Sequence, residues 1–103
     1  MIRHIVLWKL TEKAKGENLP EKISRLRQMF AAMLGNLPGL FTIEIGENFG
    51  DGEYDLILFG EYESREAVEA YRVHPLHLEV RELTKDWVCG RVSVDYEYAE
   101  KDA

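Results

Sequence analysis

The chain has 103 residues, 46% of them hydrophobic and 31% charged, with a formal net charge of −6. That length supports one domain with a real core, and the acidic balance argues against a nucleic-acid partner, which would call for a basic face toward the phosphates. Apolar runs such as Ile5 to Trp8 and Leu56 to Phe59 fall far short of the roughly 20 residues that span a bilayer, and the start lacks the apolar stretch and cleavage site of a signal peptide.

Ile2 to Leu10 reads as a strand, β-favouring and apolar on both faces through Ile5, Val6, Leu7 and Trp8. Thr11 to Glu17 is polar and is expected to be a loop. Asn18-Leu19-Pro20-Glu21 resembles a capping arrangement in which the Asn side chain accepts an amide hydrogen bond. Ile23, Leu26, Phe30, Met33, Leu34 and Leu37 then recur at three- and four-residue spacing, one apolar stripe on a helix that Gly35-Asn36 can end. Phe41, Ile43 and Ile45 alternate with Thr42 and Glu44 in a second strand, and Tyr54 to Tyr62 forms a third, again apolar on both faces. Ser64 can cap a helix through Tyr71, and Pro75 can start another that runs to about Lys85. Val88, Val92, Val94 and Tyr96 share the even positions of a last strand. The single cysteine, Cys89, cannot close an internal disulfide, which suits a reducing compartment, and it is expected to be a buried small side chain. The domain is expected to span residues 1–98 and the polar tail from Glu97 to Ala103 to fray, residues 99–103 lying beyond the domain. A soluble, cytoplasmic protein without a membrane partner follows.

The order β-α-β-β-α-β predicts an α+β, ferredoxin-like fold: a four-stranded antiparallel sheet with helices on one face. The first and third strands are apolar on both faces, so one helical layer leaves a patch of several hundred Å² uncovered. At about 25 cal/mol per Å² such a patch favours a partner, and a homodimer pairing two sheets face to face would bury it.

The groups able to move protons fall in two places. Tyr71-Arg72-Val73-His74-Pro75-Leu76-His77 holds two of the three histidines and a tyrosine, and His4 opens the first strand on a face shared with Val6, Trp8 and Leu10. If the first and third strands run parallel side by side, Asp55 neighbours His4 and orients its imidazole. His77 would sit in the first turn of the helix that Pro75 begins, and Trp8, Phe30 and Phe59 are core residues of which some can wall a pocket. Simpler roles stand beside these: His74 as a helix cap, Tyr71 as core packing, Asp55 as a strand-end turn residue. No metal or cofactor motif is present; His74 and His77 with Asp55 or Glu79 lack the accompanying ligands of a zinc site.

Tyr71-x-x-His74-Pro75-x-His77, with the start Ile2-Arg3-His4-Ile5-Val6-Leu7-Trp8-Lys9, resembles the stress-responsive α/β-barrel (Dabb) domain family over nearly the whole chain. The resemblance implies a dimeric α/β barrel and no cofactor. It also implies, by likeness to polyketide cyclases of the olivetolic-acid type, a base at His77, a hydroxyl partner at Tyr71 and a strand-one histidine at His4. The cyclase's strand-three histidine is Asp55 here, and with His74 it joins the candidate binding residues. The expected function is a homodimer that binds a small apolar or aromatic molecule between sheet and helices, with histidine acid–base chemistry. The alternatives are a cofactor-free enzyme (cyclase, isomerase or monooxygenase) and a stress-associated structural protein with no ligand.

Overall fold

The computed structural model describes residues 1–99. Its elements are β1 (Ile2–Leu10), α1 (Glu12–Gly16), α2 (Leu19–Ala31), β2 (Leu40–Glu47), β3 (Leu56–Tyr62), α3 (Arg65–Val73), α4 (Pro75–Thr84) and β4 (Val88–Glu97). The strands form one antiparallel sheet in the order β2-β3-β1-β4, the ferredoxin-like arrangement. Alternation along β1 sends Ile2, His4, Val6, Trp8 and Leu10 to the helix-covered face, as the two-residue period of a strand requires. Leu56, Leu58 and Tyr62 join them from β3. Ile23, Leu26, Phe30, Met33 and Leu37 of the expected stripe are buried, whereas Leu34 is exposed beyond the end of α2.

Several local expectations are corrected. Residues 12–16 are a short helix because the Thr11 hydroxyl caps it, accepting from the Ala14 amide at 3.0 Å. Asn18 precedes α2 in a left-handed conformation (φ 55°) and its side chain makes no cap bond; Pro20 in the first turn pre-sets the helix instead. In β2 the register slips between Leu40 and Thr42, so Leu40, Ile43 and Ile45 are buried while Phe41 turns outward. A second slip, between Lys9 and Leu10, makes Cys89 the extra residue of β4. Cys89 is therefore exposed. Val88 joins the helix-facing side, and Val92, Val94 and Tyr96 take the outer face opposite Leu7, Ile5 and Arg3.

Glu97 and Tyr98 do not fray. Glu97 pairs with Ile2 and with Arg65 (2.7 Å), and the Tyr98 amide donates to Met1 O at 3.0 Å. The rest of the tail, residues 100–103, lies outside the described residues. Among the described residues no helix is long and apolar enough to cross a membrane.

Two glycines shape the site's surroundings. Gly39 adopts φ 82° in the turn into β2, where a Cβ would meet the Ala67 Cβ at 2.8 Å. Gly60 lies opposite His4, and a Cβ there would stand 2.8 Å from the Tyr62 ring, so only glycine lets that ring lie along the strand beside His4.

Candidate functional site

The break between α3 and α4 is built by His74 and Pro75. The His74 ring caps α4, accepting from the Leu76 amide at 3.1 Å, and Pro75 occupies a first-turn position whose missing N–H costs nothing. The turn opens a cavity of about 490 Å³ between the sheet and the two helices. Its apolar wall is Val6, Trp8, Leu58, Val80 and Val88. Tyr71, His77, His4, Thr84 and Ser93 contribute polar groups, and Arg72, Arg81, Lys85 and Arg91 contribute positive charge.

His77 sits in the first turn of α4, two residues after Pro75 and half-buried, with Nδ1 3.0 Å from the Arg72 carbonyl oxygen. A carbonyl only accepts, so Nδ1 carries the proton and Nε2 of the neutral ring keeps its lone pair. Burial lowers the His77 pKa from its ordinary value; the Arg72 carbonyl opposes this, and Arg81, Arg91 and His4 reinforce it. The ring packs on Tyr71 with centroids 4.3 Å apart. Burial pushes the Tyr71 hydroxyl far above its usual range, with Arg91 acting the other way, so at neutral pH it is a hydrogen-bond donor.

His4 is 2% exposed, and its Nδ1 bonds the Asp95 carboxylate. The other Asp95 oxygen accepts from Arg72 Nη2 at 3.2 Å. Arg72 thus holds both histidines: its carbonyl orients His77, and its guanidinium steadies the carboxylate that orients His4. Tyr62 completes the aromatic group, edge-on to His4 at 6.1 Å and 5.5 Å from Tyr71. Its buried hydroxyl has no hydrogen-bond partner among the described residues.

The structure therefore brings together His4, Tyr71, His77 and Trp8, and separates the other sequence candidates. Asp55 is not beside His4, because β1 and β3 are antiparallel: His4 pairs with Gly60, and Asp55 falls at the far end of β1, about 20 Å along the strand at a strand's rise per residue. There Asp55 accepts from the Leu10 amide at 2.7 Å and lies 3.8 Å from Lys15 Nζ. Phe59 pairs with Ile5 on the outer face and cannot reach the cavity. Phe30 is core on α2 and not part of the cavity wall, and His74 is occupied as a cap.

Sequence reasoning missed Asp95, Arg72, Arg81 and Arg91. The signals were present: Arg91, Ser93 and Asp95 are the polar half of an alternating strand, and His77, Arg81 and Lys85 recur at i, i+4, i+8 on one helix face. Among the described residues no group of three or more His, Cys, Asp or Glu side chains is placed to hold a metal ion.

Solved structures share this fold. A dimeric protein of unknown function with a ferredoxin-like fold from Bacteroides fragilis NCTC 9343 superposes with a TM-score of 0.84 at 26% identity, over 94% of this chain and 95% of its own. A dimeric ferredoxin-like protein of unknown function from Thermobifida fusca YX gives 0.77 at 21% identity, over 94% and 90%. A putative antibiotic biosynthesis monooxygenase from Nitrosomonas europaea gives 0.77 at 20% identity, over 97% and 100%. Among curated proteins, none matches the chain. The family model described as the Stress responsive A/B Barrel Domain, Dabb, matches residues 2–98, and the chain belongs to that family.

Proposed function

We propose that this chain is a homodimeric, cofactor-free acid–base protein that takes a small aromatic or ketonic molecule into the cavity and removes a proton from it with His77. The observation that carries this reading is the tie between His77 Nδ1 and the Arg72 carbonyl, which leaves Nε2 as the acceptor of a neutral imidazole. Tyr71, held in its protonated form by burial, donates to the oxyanion that forms as the proton leaves. His4, oriented by Asp95, supplies a second imidazole for returning a proton. General acid–base help of this kind is worth about 10²–10⁴-fold. A cavity of about 490 Å³ speaks against a purely structural role, in which side chains would fill the space.

The dimer rests on the outer face of the sheet. Ile5, Leu7, Ile57 and Phe59 share that face with Val92 and Val94, which are 40% and 55% exposed in the protomer. Pairing two such faces removes the patch from water, and the Bacteroides and Thermobifida relatives are described as dimeric. A reducing, cytoplasmic setting suits the exposed, unpaired Cys89.

The test is proton exchange at carbon. Wild-type protein should speed deuterium uptake between the carbonyls of an aryl 1,3-diketone, and His77→Ala should return the rate to background. Equal rates for the two proteins across a panel of such ketones would remove His77 from the role. Light scattering at micromolar concentration should give twice the chain mass, and a monomer there would end the dimer reading.

A further inference from the structure

The charge of the cavity is at odds with the charge of the chain. The protein carries a net −6, yet among the described residues that line the cavity there are four cations, Arg72, Arg81, Lys85 and Arg91, and no carboxylate. Two of the four are already matched. Arg72 lies 3.2 Å from Asp95 and 3.5 Å from Glu69, and Lys85 lies 2.7 Å from Glu82. Arg81 and Arg91 have no ion-pair partner among the described residues, although acidic side chains outnumber basic ones 19 to 13.

Their positions follow from the two elements that close the cavity. Arg81 is four residues after His77, on the same face of α4. Arg91 pairs with Trp8 in the β1–β4 register and so faces inward from the opposite wall. Both act electrostatically on His77, and Arg91 also acts on Tyr71. Both guanidinium groups are solvent-exposed, line one cavity from α4 and β4 and oppose protonation of His77, so an anion bound there would find charge-assisted partners on two walls.

We infer that Arg81 and Arg91 form a clamp for a carboxylate, so that the molecule presented to His77 is a small aromatic or keto carboxylic acid rather than a neutral apolar compound. This rests on the reading of the cavity as an acid–base site and adds the substrate class to it. A planar guanidinium fork matches the two oxygens of a carboxylate, and the Ser93 hydroxyl on the same wall offers a further donor. The first amides of α4 are partly satisfied by the His74 cap, and the Thr84 hydroxyl donates to Val80 O at 2.8 Å, which leaves the two forks as the dominant anion ligands. With the carboxylate held at the mouth, the apolar wall of Val6, Trp8 and Leu58 receives the body of the molecule.

The experiment is an NMR titration of the full chain, read at the His77 imidazole. The probes are benzoate, its neutral counterpart benzamide, and inorganic phosphate. Wild type should bind benzoate with a shift at His77, and benzamide should bind about tenfold or more weakly, as loss of a charged hydrogen bond implies. Arg81→Gln and Arg91→Gln should each weaken benzoate by a similar factor and leave benzamide unchanged, while Arg25→Gln, on exposed α2 surface, should change neither. Equal affinities for benzoate and benzamide would overturn the clamp, as would a benzoate affinity that survives both substitutions or is matched by phosphate. The ligand-free His77 titration separates this failure from failure of the acid–base reading. A depressed His77 pKa with an indifferent clamp leaves the base in place, and an ordinary His77 pKa together with ketone exchange indifferent to His77→Ala removes the base as well.

Discussion

The helix-covered face of the sheet is two regions with opposite character. Under α2, β2 presents Ile43 and Ile45, the helix returns Leu26 and Phe30, and Met33 follows just past the helix end, all buried. Toward β4 the inward residues are Arg91, Ser93 and Asp95, and the covering helices are interrupted at His74–Pro75. The first region closes because apolar side chains on both layers gain by leaving water. The second stays open because its inward charges cannot be buried without partners. The cavity is the place where one sheet changes from a core wall to a polar wall, and the residues with chemistry stand along that boundary.

The contrast can be broken from either side. The largest effect expected is in the open region: His77→Ala should cut turnover about 10²–10⁴-fold while the urea midpoint stays near wild type. In the closed region the effects exchange places. Phe30→Ala, at a position 1% exposed, should cost about 3–5 kcal/mol of stability by urea denaturation, with the rate per folded molecule close to wild type. Gly60→Ala lies on the boundary and should do both. Its new Cβ meets the Tyr62 ring at 2.8 Å, so about 1–3 kcal/mol is lost to overpacking and the His4 signals shift in NMR spectra.

The pH dependence sharpens the comparison, because the open region holds His77, the proposed base, half-buried. Its pKa in the fold is lowered below 6.5, first by burial. Between that lowered value and 6.5 the unfolded chain binds more protons than the folded one, so stability rises with pH across this window. The contribution is complete above 6.5 and is lost as pH falls through the folded value. Turnover should fall over the same acid limb, and His77→Gln should remove the His77 share of the stability change in urea melts at pH 7 and at about pH 5. The smallest effect belongs to a cap that does not line the cavity. Ser64→Ala removes the acceptor of the Ala67 amide at 3.2 Å and should cost about 1 kcal/mol, with no change in ketone exchange.

The β-α-β-β-α-β order without the short α1, the capped starts of α3 and α4, the two-faced apolar strands and the cluster Tyr71, His74, His77 were legible in the sequence, because local patterns carry them. Apolar period, proline position and hydroxyl caps act within a few residues of one another. The errors along β2 and β4 share a cause. One extra residue in β4 at Cys89, and another in β2 at Phe41, invert which face the neighbouring side chains occupy. No count of alternating residues reveals such a bulge.

Strand direction decided the rest. Composition and spacing place His4 and an acidic partner in the chain, but antiparallel pairing selects Asp95 on β4 and sends Asp55 to the far end of β1. The sequence by itself determined which side chains could transfer protons and that a helix breaks beside them. Only the tertiary structure decided that the Arg72 carbonyl fixes the His77 tautomer and that Arg81 and Arg91 face one cavity. Arg72 and His77 are only five residues apart, and Arg81 and Arg91 only ten, but each pair spans a junction between elements, so the break between α3 and α4 and the β1–β4 register decide their geometry.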